Sequence, residues 1–168
     1  MPLQNAQINN SITWTRRDNI GETLVIENGQ NSYSVLFASG TGTGKVTNVW
    51  YATGGLPPGG SVTYNLFSLS GSIFGNATTL NLSGNRIKSL FIENSSTGNQ
   101  SFDLLEIQMK APSGLRTPFG GYDTYFRLNT GGNLMLSDRI GYLIDTGNRY
   151  VTILNSGTLA NYSIGILV

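Results

Sequence analysis

The sequence predicts an all-β protein built as an antiparallel two-sheet β-sandwich. Three observations lead there. Period-2 alternation of apolar and polar residues recurs from end to end, and nothing sustains a 3.6-residue period beyond one short stretch. The alternating segments are short and spaced by roughly ten residues, the pattern of a sandwich or barrel. Between them lie NGQN, GTGTG, GGLPPGG, NSSTGNQ, TGGN, DTGN and NSGT, where Gly and Asn supply positive φ and Pro presets φ, so these are expected turns.

Taken in order, the expected strands run from Ser11 to Arg16, Thr23 to Glu27, Ser32 to Ala38, Thr47 to Ala52, Ser61 to Leu66 and Thr78 to Leu82. They continue from Ile87 to Asn94, Phe102 to Met109, Thr124 to Asn129, Asn133 to Leu136, Tyr142 to Ile144, Tyr150 to Asn155 and Tyr162 to Leu167. In the first, Thr13, Thr15 and Arg17 alternate with Ile12, Trp14 and Arg16, as in an outer strand. Ile87 to Asn94 carries apolar groups on both faces (Ile87 and Phe91, then Leu90 and Ile92), which places it centrally with cover on both sides. Phe102 to Met109 reads the same way. Leu66, Leu69, Ile73 and Phe74 recur at helical spacing and allow one helical turn, which the intervening Ser and Gly weaken.

No domain boundary interrupts this pattern. Residues 11–168 are expected as one sandwich domain, preceded over residues 1–10 by an extended arm, because the uncharged run MPLQNAQINN has no strand signal of its own. Gly54 to Gly60, with two prolines in seven residues, suits a stiff loop better than a tether. Lys110 to Asp123 is a second long irregular segment, of the length that in compact domains tends to contact a partner.

Composition narrows the function. The 168 residues include no His, no Cys, ten Lys and Arg and nine Asp and Glu, for a net charge of +1. Without His and Cys the usual acid/base relays, zinc sites and thiol nucleophiles are missing. Nucleic-acid binding normally shows a basic stripe or arm, and here the cations are scattered apart from Arg16-Arg17. No apolar run approaches the roughly 20 residues of a membrane helix. The start is neither a signal peptide nor a basic packaging arm. No cofactor and no metal are expected.

Several motifs compete with plain structural readings. SGTGTGKV (Ser39 to Val46) resembles a phosphate-binding loop but has Ser39 where that motif needs Gly and Val46 where it needs a hydroxyl, so a flexible hairpin loop is the better reading. Asp103 and Glu106 fall on opposite faces of their strand. Asp138 and Asp145 bracket a hairpin, and the Asp145 to Asn148 loop lacks the further oxygen ligands calcium needs, so solvated turn aspartates are favoured. Trp50, Tyr51, Tyr122, Tyr125 and Phe126 could stack a sugar, and equally fill a core or an interface.

The C-terminal stretch carries a resemblance. Gly131-Gly132 turn into Leu134 and Leu136, then come Gly141, the alternation Val151, Ile153, the closing Asn155-Ser-Gly157, and a last strand with Tyr162, Ile164 and Ile166. Together with Ile87-Lys88 leading into Leu90, Ile92 and Asn94, this resembles small virion structural proteins of tailed bacteriophages, the head-decoration, cement or minor capsid proteins. The similarity covers about Ser61 to Val168, and the N-terminal third has no part of it. The resemblance implies a jelly-roll sandwich on the capsid surface of a virion, commonly a homotrimer, with the major capsid protein and copies of itself as partners and no catalytic residues.

The expectation is therefore a non-enzymatic structural protein that stabilises a shell by contact. Its expected partner contacts are Leu3 and Ile8 in the arm, Leu56, Pro57 and Pro58 in the first loop, and Leu115, Phe119 and Tyr122 in the second. The alternative is a lectin-like or receptor-binding module of a phage fibre or spike, with a glycan as partner. A coat protein ranks third for want of a basic arm, and an enzyme last.

Overall fold

The computed structural model describes residues 5–20, 23–73, 76–97, 105–110, 114–115 and 123–168. The described residues are all-β, with thirteen strands. Eight of them form the two sheets of the sandwich: β4 (Val49–Leu56), β5 (Ser61–Asn65), β8 (Arg86–Asn94), β9 (Leu105–Lys110), β10 (Asp123–Leu128), β11 (Asn133–Leu143), β12 (Tyr150–Asn155) and β13 (Ala160–Leu167). One sheet has the order β10-β9-β12-β5 and the other β11-β8-β13-β4. The pairing is nested: β4 pairs with β13, β5 with β12, β8 with β11 and β9 with β10, all antiparallel.

Strict alternation produces the core. In β12 every second residue is buried, and Val151 and Ile153 meet Ile107 of β9 and the fully buried Leu90, Ile92 and Ile164 of the opposite sheet. Burying an aliphatic side chain of this size contributes about 1.5–3 kcal/mol, and Ile and Val also favour the extended backbone sterically. β8 and β9 are interior strands, as their two-faced apolar pattern requires.

A long hairpin precedes the sandwich. β1 (Asn5–Ile20) and β2 (Thr23–Ser39) pair antiparallel without a break from Asn5 opposite Ala38 to Ile20 opposite Thr23. At about 3.4 Å per residue, the 16 residues of β1 span roughly 50 Å. This corrects two expectations. Residues 5–10, expected as an arm without a strand of its own, form the first part of β1. NGQN, expected as a turn, lies inside β2 opposite Ile12 to Thr15. The reason is cross-strand side-chain bonding: Thr15 Oγ1 donates to Asn28 Oδ1 (2.9 Å), Gln7 Nε2 to Ser34 Oγ (3.0 Å) and Ser34 Oγ to Asn9 Oδ1 (2.8 Å). Such pairs stabilise a ladder that Asn and Gly alone do not favour.

Smaller departures have local causes. The helical turn allowed at Leu66 to Phe74 is instead β6 (Leu69–Ile73), paired with β7 (Asn76–Leu80); Phe74 itself lies outside the described residues. The extended chain offers the Ser70 carbonyl to Trp50 Nε1 at 3.0 Å, and Gly71 leaves room for the indole, since a Cβ there would stand 3.1 Å from Trp50 Nε1. The SGTGTGKV loop does not close a hairpin: it carries the chain into β3 (Lys45–Val46), which runs parallel to β2. Asn133 to Leu136 and Tyr142 to Ile144, expected as two strands, are largely one strand, β11, with an irregularity between Ser137 and Tyr142.

Candidate interaction surfaces

The hairpin has one apolar face with two fates. Near its base Ile8 and Val35 sit directly opposite each other, Ala6 opposite Phe37, and with Val46 they form a small second core against Met135 of β11 and Leu167 of β13. These last two lie on the outer side of their sheet, whose inner side carries Leu136 and Ile166. Two and four residues farther out on that hairpin face, Tyr33 is 56% and Ile12 67% exposed. The hairpin is thus anchored at one end and presents uncovered apolar groups beyond it. A two-stranded ribbon is at best marginally stable alone, so the anchor is what makes the projection possible.

The same sheet face is only partly covered. Register places Tyr51 of β4, Gly165 of β13, Phe91 of β8 and Met135 of β11 in one row, with Val49 beside Leu167 in the next. Val49 and Tyr51 are exposed on the edge strand. The Tyr51 ring leans over Gly165, with its hydroxyl 3.4 Å from Ser163 Oγ.

The loop expected from Gly54 to Gly60 is shorter, because Gly54 to Leu56 pair with Tyr162 to Ala160 as the end of β4, and the remaining turn from Pro57 to Gly60 is tied down by hydrogen bonds. Asn155 Nδ2 donates to the carbonyls of Leu56 (2.9 Å), Pro57 (3.1 Å) and Thr158, while its Oδ1 accepts from Gly157 N (2.9 Å). The backbone adds Gly59 N to Asn155 O and Asn155 N to Gly60 O. Pro57 and Pro58 are exposed at its tip.

Of the residues expected to meet a partner, Pro57 and Pro58 are accessible. Ile8, Leu56 and Leu115 are not, because each packs into the chain's own cores. Leu115 is pinned there by its backbone N–H to the Tyr150 carbonyl (2.9 Å). Leu3, Phe119 and Tyr122 lie outside the described residues. Sequence reasoning placed Ile12 and Tyr33 in strands but missed them, and Val49, as exposed contact groups; the signal for the first two was their place on the same strand face as Ile8 and Val35.

Among the described residues the sugar-stacking set does not come together; Tyr122 lies outside them. Trp50 is buried with its N–H bonded, making edge-on contact with Tyr64 (5.1 Å between centroids), while Tyr51 points to the other side of β4. Tyr125 and Phe126 belong to the opposite sheet, where the Arg127 guanidinium lies 5.4 Å from the Tyr125 ring centre. Asp138 Oδ1 accepts from Ile140 N (2.7 Å) and Gly141 N (3.3 Å), and Asp145 Oδ1 from Gly147 N (2.8 Å), so both aspartates cap their own turns. Among the described residues no group of three acidic side chains could hold a metal ion, and no helix is long and apolar enough to cross a membrane.

Comparison with protein-family models and with curated proteins finds no match for this chain.

Proposed function

We propose that this chain is a non-enzymatic structural subunit of a virion, a decoration or cement protein on the capsid surface that binds copies of itself and the major capsid protein. The observation that carries the assembly part is the β1–β2 hairpin, whose apolar face is anchored at Ile8 and Val35 and left open at Tyr33 and Ile12. Exposed apolar groups on a projecting ribbon, Leu36 on its other face among them, are suited to burial against a neighbouring subunit. The apolar row on the outer sheet face offers a receiving surface of matching chemistry.

The nested strand pairing supports the virion part by fold analogy. Pairing of the first strand with the last, the second with the second-last and so on is compatible with a jelly roll, an architecture frequent in capsid proteins and also used by lectins. The resemblance of the C-terminal strands to phage decoration proteins points the same way. Sedimentation of purified particles followed by mass spectrometry tests it: the chain should travel with the shell in stoichiometric proportion to the major capsid protein, and its absence from the particle would refute the assignment.

A further inference from the structure

Four of the chain's ten cationic side chains gather at one place. A depression of about 310 Å³ lies beside the glycine-rich loop at residues 40–44, with Lys45, Arg86 and Lys88 in its wall. Arg139 stands over the same loop, since a Cβ on Gly44 would lie 3.3 Å from its Nη2. Gly40, Gly42 and Gly44 all have positive φ, which bends the loop around the depression, and nothing lies within 4 Å of where a Gly42 side chain would begin.

The irregular part of β11 holds the cations in place without neutralising them. Lys88 Nζ donates to the carbonyls of Ile140 (2.6 Å) and Arg139 (3.3 Å), Arg86 Nη1 to that of Gly141 (2.9 Å), and Gly44 N to that of Arg139 (3.0 Å). Lys has three donors and Arg five, so capacity remains. Among the described residues none of the four has a carboxylate within ion-pair distance; the ion pair that does form, Arg127 with Glu106, is elsewhere. Asp138 nearby spends its Oδ1 on the amides of Ile140 and Gly141. Lys88 is only 5% exposed, and a buried ammonium that carbonyls hold but no carboxylate touches is costly. Burial, and then the Arg86 charge, lower its pKa, with Asp138 opposing.

We propose that this basin binds an oxyanion, a phosphate, sulfate or carboxylate group, held by Lys45, Arg86 and Lys88 with the hydroxyls of Thr41 and Thr43 at its rim. Guanidinium and ammonium donors make short, charge-assisted bonds to such oxygens, and the ligand supplies the negative charge that the surrounding side chains withhold. The site lies at the base of the hairpin and does not use Ile12 or Tyr33, so it stands whether or not the chain assembles.

Amide NMR of the full-length chain, titrated separately with inorganic phosphate, sulfate and acetate against chloride at equal ionic strength, tests it. Saturable shifts at the Thr41 to Gly44 amides are expected. Saturation with phosphate or sulfate but not acetate assigns a tetrahedral oxyanion, and saturation with acetate alone assigns a carboxylate. Arg86→Gln and Lys45→Gln, both at exposed positions, should each weaken binding by about tenfold with the remaining spectrum unchanged. Shifts that do not saturate, that chloride reproduces, or that survive both substitutions would overturn the proposal.

Discussion

Tyr64 Oη and Tyr162 Oη lie 2.7 Å apart and join β5 of one sheet to β13 of the other across the sandwich. Their rings meet edge-on at 6.4 Å, and Trp50 also packs edge-on against Tyr64, at 5.1 Å. Gly54 makes room for this arrangement, because a Cβ there would stand 2.6 Å from Tyr162 Oη. Removing one hydroxyl leaves its partner buried and unsatisfied, so Tyr64→Phe should cost about 1–3 kcal/mol. The double variant with Tyr162→Phe should cost less than the sum of the two single changes, as urea unfolding of all three will measure.

The same pair sets an alkaline limit. Burial first, and then the bond to Tyr162, push the Tyr64 pKa well above its usual value, and burial followed by the Asp138 charge raises that of Tyr142. An unfolded chain ionises these phenols near about pH 10, whereas the folded chain keeps them neutral. Their contribution is therefore full below about pH 10 and is lost as pH rises further. Thermal melts from pH 8 to pH 11 should show stability falling at the upper end, with a shallower fall in Tyr64→Phe.

Asn155 is the joint of the Pro57-Pro58 loop. Asn155→Asp keeps the shape but turns a side chain that donates to three carbonyls into one that repels them. It should destabilise by about 3 kcal/mol or more. Hydrogen exchange at Gly59 should rise with it as the loop is released, whereas the Gly157 amide, whose Oδ1 acceptor the aspartate keeps, should stay the better protected of the two.

Gly141 shapes the carbonyl strip that holds Lys88 and Arg86. It has a φ of 86°, and a Cβ would stand 2.8 Å from the Ile87 carbonyl, which cannot retreat without moving β8. Gly141→Ala should therefore cost about 1–3 kcal/mol. Calorimetry should record a lowered Tm, and an unchanged Tm would mean that the irregularity in β11 is soft.

Ile12→Ser and Tyr33→Ser change exposed residues and should leave unfolding free energy within about 0.5 kcal/mol of the parent. Both should weaken subunit association, read by sedimentation velocity over a range of protein concentrations.

Much of the sandwich was legible because alternation maps directly onto burial. Val151 and Ile153, Ile164 and Ile166, and the two-faced strand around Leu90 all went where their periodicity placed them. Turn chemistry was the weak point: Asn28 to Asn31 carries turn residues yet runs extended, because β1 supplies partners that composition does not reveal. The contact residues suffered from the opposite problem. Leu56 and Leu115 sit beside irregular chain and look exposed in sequence, but a loop's apolar residue often turns inward to fill the core it borders, as both do. The basin of Lys45, Arg86, Lys88 and Arg139 was hidden because its members come from three distant parts of the chain, which meet only where β3 and its loop, β8 and the irregular part of β11 come together.

Light scattering on the full-length chain, compared with a variant whose Asn10 to Tyr33 segment is replaced by an Asn-Gly turn, tests the central claim most directly. The shortened hairpin keeps Ile8, Val35 and Phe37 and hence its anchor. The parent is expected at the mass of a trimer and the shortened variant, equally folded by circular dichroism, at that of a monomer. A monomeric parent, or a variant that assembles as the parent does, would contradict the assignment of the hairpin as the assembly element.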